Sequence, residues 1–213
     1  MFNAQNKPCR TQRPHHILLY AAIFCFIGMA SSSLHAQEGI KEQPPELAQA
    51  SEIGGRFMLQ DHNGNIVTDQ DFQGRYLLIT FGYTYCPDVC PTNLVNMSNA
   101  MDELGDLSTK IAPIFITVDP ARDTAVRLHD YVASFDERLI GLTGPQAMID
   151  SVTKRYKVVS DVHHPKNWDK GEYLIDHTAS IFLMAPNGQF LVKFAHGMDP
   201  KDMAKRIKEI LGA

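Results

Sequence analysis

A short apolar run, Tyr76-Leu-Leu-Ile-Thr-Phe81, leads into Tyr85-Cys86-Pro-Asp-Val-Cys90-Pro91 and then into Leu94, Met97, Met101 and Leu104, spaced as on one helix face. A buried strand feeding a helix that opens on two cysteines leaves few architectures open. Thiols four apart on a helical turn have β-carbons about 5–6 Å apart. That is too long for a disulfide without a backbone adjustment, and it suits two ligands around one ion. A helix N-terminus also stabilises thiolates. Three readings follow: a structural disulfide, a redox couple or a metal site. Redox motifs of this type have two intervening residues, whereas three lie between Cys86 and Cys90. Two soft sulfurs suit Cu(I) best among common ions. A closed zinc site needs four ligands. The other two cysteines, Cys9 and Cys25, lie before residue 36, so further ligands would be histidines or carboxylates.

The pattern around this motif is that of one α/β unit. Phe57-Met58-Leu59 and Ile66-Val67 flank Asn63-Gly64, a hairpin signal. Ile114-Phe-Ile-Thr-Val118 is a second buried-strand candidate. Leu128, Tyr131, Val132 and Phe135 mark a second helix, with Asp123 or Thr124 placed to cap it. Ile149, Val152 and Tyr156 mark a third, with Pro145 suited to its first turn. Ser180–Met184 and Phe190–Phe194 bracket Pro186-Asn187-Gly188 as a late hairpin. Met203, Ile207, Ile210 and Leu211 close an amphipathic helix capped by Asp199. Buried strands joined by helices imply parallel pairing, and the hairpins add antiparallel strands. The expected fold class is α/β, a thioredoxin-like mixed sheet flanked by helices. It carries an N-terminal hairpin and an inserted hairpin or loop.

The chain begins with an address. Lys7, Arg10 and Arg13 precede the apolar run Ile17–Ala30, and Ser31-Ser-Ser-Leu-His-Ala36 follows. A basic start, a short apolar core and a small-residue exit make a secretory signal. The core falls short of the roughly 20 residues that span hydrocarbon comfortably. Cleavage after Ala36 is the first reading; an uncleaved anchor is the rival. Cys25 sits inside this run as filler. The expected organisation is 1–36 signal peptide or membrane anchor, 37–50 linker, and 51–213 a thioredoxin-like domain that carries the cysteine motif. The protein is placed outside the cytoplasm, in a periplasm or on the outer face of an inner membrane. The formal charge of −4 over 213 residues gives no footprint for nucleic acid.

The histidines after Cys90 are His129, His163, His164, His177 and His196. His129 falls within a helix pattern and reads as a surface residue. His163, His164 and His177 lie in the long polar stretch between Val159 and Ser180. Unstructured loops of that length in compact domains are usually functional or mobile.

Cys86-Pro-Asp-Val-Cys90-Pro91, Thr117-Val-Asp-Pro-Ala-Arg-Asp-Thr124, Gly141-Leu-Thr-Gly144 and Tyr173-Leu-Ile-Asp-His177-Thr178, in this order, resemble the Sco/SenC family of copper chaperones over residues 52 to 211. The resemblance implies one copper ion held by Cys86, Cys90 and His177, and a role in metallating the dinuclear copper site of cytochrome c oxidase. It implies that oxidase's copper-binding subunit as a partner and another copper chaperone as a donor. Some members are instead proposed to reduce the cysteines of that oxidase site, which leaves a thiol–disulfide oxidoreductase using Cys86 and Cys90 as the alternative. The family has an acid where Asp119 stands, so Asp119 is a candidate to support the site, or a turn or helix cap in Asp-Pro-Ala-Arg-Asp. Asp176 is a candidate to orient the imidazole, since ligand histidines commonly donate their other N–H to a carboxylate or carbonyl. Adjacent strand residues point to opposite faces, which argues against it. Ala121 and Ala125 depart from the Glu and Pro of many relatives, and the pair His163-His164 is not a family feature.

Overall fold

The computed structural model describes residues 53–166, 168–169 and 172–213. The expected signal (1–36) and linker (37–50) lie outside the described residues.

Leu59 and Asp61 turn inward from β1 (Met58–Asp61), which pairs antiparallel with β2 (Ile66–Thr68) around the Asn63-Gly64 turn. Gly64 takes the positive φ that such a turn requires. β3 (Tyr76–Gly82) and β4 (Ile111–Thr117) are parallel neighbours, and nearly every residue of both is buried. Burial on both faces of a strand means cover on both sides of the sheet. Between them runs α1 (Val89–Leu104), whose expected stripe of Leu94, Met97, Met101 and Leu104 is buried throughout. α2 (Ala125–Ala133) follows β4 and ends before Phe135. Thr124 is its cap, accepting from the Arg127 N–H at 3.3 Å.

β5 (Ile140–Thr143) is a strand that periodicity does not reveal. It has four residues, and glycines stand inside and just after it, which mask a β pattern. It runs parallel to β4 and antiparallel to β1, and so joins the first hairpin to the central strands. α3 (Gln146–Arg155) then starts one residue later than expected, with Pro145 at the cap position rather than in the first turn.

The long polar stretch is not a bare loop. It holds β6 (Ser160–His163) and β7 (Leu174–His177), an antiparallel pair separate from the main sheet. β6 is exposed along its whole length, so it shows no inward–outward alternation to read. β8 (Ile181–Met184) and β9 (Phe190–Phe194) form the expected late hairpin, with β8 antiparallel to β3. α4 (Pro200–Leu211) closes the fold; Asp199 accepts from the Lys201 N–H at 2.8 Å, and α4 packs against α1.

The seven-stranded order is β2-β1-β5-β4-β3-β8-β9. The core strands β3 and β4 thus sit at the centre, and the cysteine motif follows directly from the end of β3.

Candidate metal centre

The two cysteines are not both helical. Cys86 sits in the loop after β3, where its N–H donates to the Tyr83 carbonyl at 3.1 Å. Cys90 is the second residue of α1. The cap residue Asp88 makes no side-chain hydrogen bond to the helix. The Cys90 N–H instead donates to the Cys86 sulfur at 3.4 Å, so that sulfur serves an otherwise orphaned helix donor. Both thiols are free and buried. Gly82 makes room for them: a β-carbon there would lie 2.5 Å from the Cys90 sulfur and 2.8 Å from the Phe115 ring.

The electrostatics of the two sulfurs differ. The Cys90 thiol beside it pulls the pKa of Cys86 down to about 3, against the opposing effect of burial; His177 and the backbone N–H groups of Asp88 and Cys90 add to the lowering. Hydrogen bonding to Cys86, and then burial, push Cys90 up. These opposite shifts favour a thiolate at Cys86 and a thiol at Cys90.

The third group arrives from β7. His177 Nε2 lies 3.1 Å from the Cys90 sulfur. Its Nδ1 faces the Thr178 carbonyl oxygen at 3.2 Å. A carbonyl only accepts, so the ring donates to it from Nδ1, and Nε2 is the nitrogen turned toward the sulfurs. The Tyr83 ring meets the imidazole edge to face, with centroids 5.9 Å apart. The donor atoms of Cys86, Cys90 and His177 all lie within 4.8 Å of one another. Among the described residues this is the sole cluster of three or more metal-ligating side chains. Two sulfurs and one imidazole form a soft set of low coordination number, which suits Cu(I) and leaves a side open to an incoming ligand.

Asp119, at the end of β4, is 3% exposed and does not reach the cluster. Its Oδ1 accepts from the Tyr173 hydroxyl at 2.7 Å, and its Oδ2 pairs with Arg122 Nε. Arg122 in turn donates to the Tyr173 carbonyl at 3.0 Å and lies over that ring, 3.5 Å from its centroid. Asp119 thus grips the hairpin that delivers His177. Its carbonyl also closes the local turn by accepting from Arg122 and Asp123 N–H, so the turn role holds too.

Asp176 does not orient the imidazole. It is 84% exposed and lies 3.5 Å from His163 Nδ1, on the face of β7 away from His177. The Thr178 carbonyl takes the role expected of it. His163 and His164 do not converge on one site: His164 Nδ1 faces the Glu172 carbonyl at 3.1 Å. His129 is exposed, as expected, with its ring against His62.

Two supporting residues escape a reading by pattern. Asp123, read as a possible cap, is fully buried. It accepts from the Thr84 N–H at 3.0 Å, the Thr84 hydroxyl at 2.6 Å and the Thr117 hydroxyl at 2.7 Å, pinning the loop that carries Cys86. Burial pushes its pKa up, against those hydrogen bonds. Asn93 lies on the buried stripe of α1, one turn beyond Cys90. A polar residue inside an apolar stripe is the one available signal for it.

The chain is similar to known proteins over most of its length. The family model described as SCO1/SenC matches residues 45–212. A Schizosaccharomyces pombe protein, Protein sco1, is 37% identical over 188 residues, covering 85% of this chain and 71% of its own. The human Protein SCO1 homolog, mitochondrial, is 40% identical over 157 residues, 73% of this chain and 52% of its own. The solved structure of Bradyrhizobium japonicum ScoI with copper bound has a TM-score of 0.68 at 43% identity, covering 74% of this chain and 98% of that one.

Proposed function

Since the chain belongs to the SCO1/SenC family, we propose that it is a copper-binding metallochaperone that delivers copper to the dinuclear copper site of cytochrome c oxidase, or prepares that site, during assembly. Copper is the cargo, and Cys86, Cys90 and His177 are its ligands. The observation that carries this reading is the convergence of two sulfurs and one imidazole nitrogen within 4.8 Å. A thiol–disulfide couple needs only the two cysteines. It does not require all three donor atoms to converge on one point, and that convergence favours copper over the reductase alternative. A ScoI structure with copper bound, 43% identical, supports the same choice of ion.

An open set of three ligands suits transfer, because a ligand from a partner can attack the ion before the first ones leave. The copper-binding subunit of the oxidase is the proposed recipient, and another copper chaperone the donor. Residues 1–36 are proposed to export the domain or to hold it at a membrane, with residues 51–213 as the copper-binding domain in the periplasm or on the outer face of the inner membrane. The basic start and short apolar run support this placement.

Anaerobic titration of the purified, reduced protein tests the copper assignment. One Cu(I) per chain is expected, with tight binding lost when Cys86→Ser and Cys90→Ser are combined. A stoichiometry of zero, or tight binding kept by the double variant, overturns the assignment.

A further inference from the structure

His177 stands at the end of the β6–β7 pair, outside the main sheet. Something must hold it in register with a helix that belongs to the main fold. The three residues after it make that connection. The Thr178 N–H donates to the Val159 carbonyl at 3.0 Å, and the Thr178 hydroxyl accepts from the Val159 N–H at 3.0 Å. The Ser180 carbonyl accepts from the Thr80 hydroxyl at 3.4 Å. Between them, the Ala179 carbonyl accepts from Asn93 Nδ2 at 2.9 Å.

Asn93 is 1% exposed and sits three residues beyond Cys90 on the same helix. One hydrogen bond therefore ties the helix that presents a thiol to the segment that presents the imidazole. The direction of the amide is determined. A carbonyl only accepts, so Nδ2 must face Ala179 and Oδ1 must face the other way. There it meets His196 Nδ1 at 2.9 Å. An amide oxygen also only accepts, so His196 Nδ1 carries a proton and donates. His196 itself is exposed, on the loop after β9. A flipped amide would place Oδ1 against the Ala179 oxygen, so that carbonyl sets the orientation, and the His196 Nδ1–H donating to Oδ1 reinforces it.

We propose that Asn93, held in orientation by His196, is a positioning residue that keeps His177 within coordinating distance of Cys86 and Cys90. The proposal rests on the copper reading above. Groups that orient metal ligands through a hydrogen bond commonly change metal affinity by tenfold to a hundredfold. Cu(II) depends on the imidazole more than Cu(I) does, because two thiolates alone hold Cu(I) in a near-linear pair. The effect should therefore fall on Cu(II).

The test measures Cu(II) affinity by competition and the electron paramagnetic resonance spectrum in the purified protein and in Asn93→Leu, His196→Ala and His196→Asn. Asn93→Leu should lose about tenfold to a hundredfold in Cu(II) affinity, with altered coupling to the imidazole nitrogen and Cu(I) stoichiometry unchanged. His196→Ala should move both readouts the same way by less. His196→Asn, whose Nδ2 can replace the ring Nδ1 as donor, should restore them; a general loss of stability would not be rescued in this way. Wild-type affinity and spectrum in both Asn93→Leu and His196→Ala overturn the proposal. If Asn93→Leu does not fold, the surface variant His196→Ala decides alone, and no change there overturns it. If the wild type binds no copper, the copper reading has failed. The positioning is then read from the His177 ring resonances of the metal-free protein: doubling or broadening in His196→Ala supports it, and an unchanged single set overturns it.

Discussion

Cys90 Sγ and His177 Nε2 lie 3.1 Å apart although 87 residues separate them in the chain. One sits in the first turn of a helix and the other at the end of a strand outside the main sheet. The contact exists because β8 pairs with β3, which brings the end of the β6–β7 hairpin over the start of α1.

His177→Ala separates a copper site from a redox couple. Removing the imidazole leaves two sulfurs and an open position, so Cu(II) affinity should fall by at least tenfold while Cu(I) is held more nearly as before. Disulfide reduction of a model substrate should be slow in both proteins. Unchanged Cu(II) affinity in the variant, together with rapid reduction by the wild type, would reverse the functional assignment.

The reduced, metal-free protein should carry one thiolate at pH 6. Cys86 is pushed down to about 3 from an ordinary 9.0, while Cys90 is pushed up. Between those two values the folded pair holds one proton where the unfolded pair holds two. The unfolded state then binds more protons, so stability rises with pH from about 3 to 9 and is lost as pH falls through that window. Above 9 the sign reverses, because folded Cys90 keeps its proton. Thiolate absorbance near 240 nm, followed against pH and against Cys86→Ser, checks this; its absence below pH 7 in the wild type contradicts it.

Gly82→Ala should damage both packing and metal binding. The added carbon would meet the Cys90 sulfur at 2.5 Å and the Phe115 ring at 2.8 Å, both of them buried with little room to give. Overpacking of this kind costs about 1–3 kcal/mol. Denaturant unfolding should show that loss, and a Cu(I) competition assay should show weaker binding. A variant as stable as the wild type means the strand and helix can part at little cost.

Tyr173→Phe and Asp119→Ala should loosen the hairpin without unfolding the sheet. The first removes the hydroxyl that donates to Asp119 at 2.7 Å, a change of about 1 kcal/mol. The second also leaves Arg122 without its carboxylate and should cost more. Hydrogen exchange at Asp161 and Asp176, which are paired across the hairpin, should quicken in both variants. Amides in β3 and β4 should stay protected. Equal loss of protection in all four strands would show that Asp119 supports the whole fold rather than the hairpin.

A fusion of residues 1–50 to a reporter active only after export should give signal outside the cytoplasm. The basic start followed by a short apolar run is the reason. Activity confined to a reporter that works only in the cytoplasm removes the proposed localisation.

Local pattern was enough for β3, β4, α1 and α4, because a buried strand and an amphipathic helix each repeat their apolar residues at a period visible in a short window. The same holds for both main-sheet hairpins, whose turns need Asn63-Gly64 and Asn187-Gly188. Cys86 and Cys90 announce themselves by spacing, and His177 by the company of a recognisable motif. What the sequence could not determine is everything that depends on residues far apart meeting. β5 and β6 lack a period, one because glycines interrupt it and the other because it is exposed throughout. The role of Asp123 as the anchor of the Cys86 loop, the bond from Asn93 to Ala179 and the choice of Thr178 over Asp176 as partner of the imidazole arise only when the sheet closes. Periodicity records which side of an element faces the core. It does not record which carbonyl a buried amide will find there, because that partner belongs to another element and its position is decided by packing.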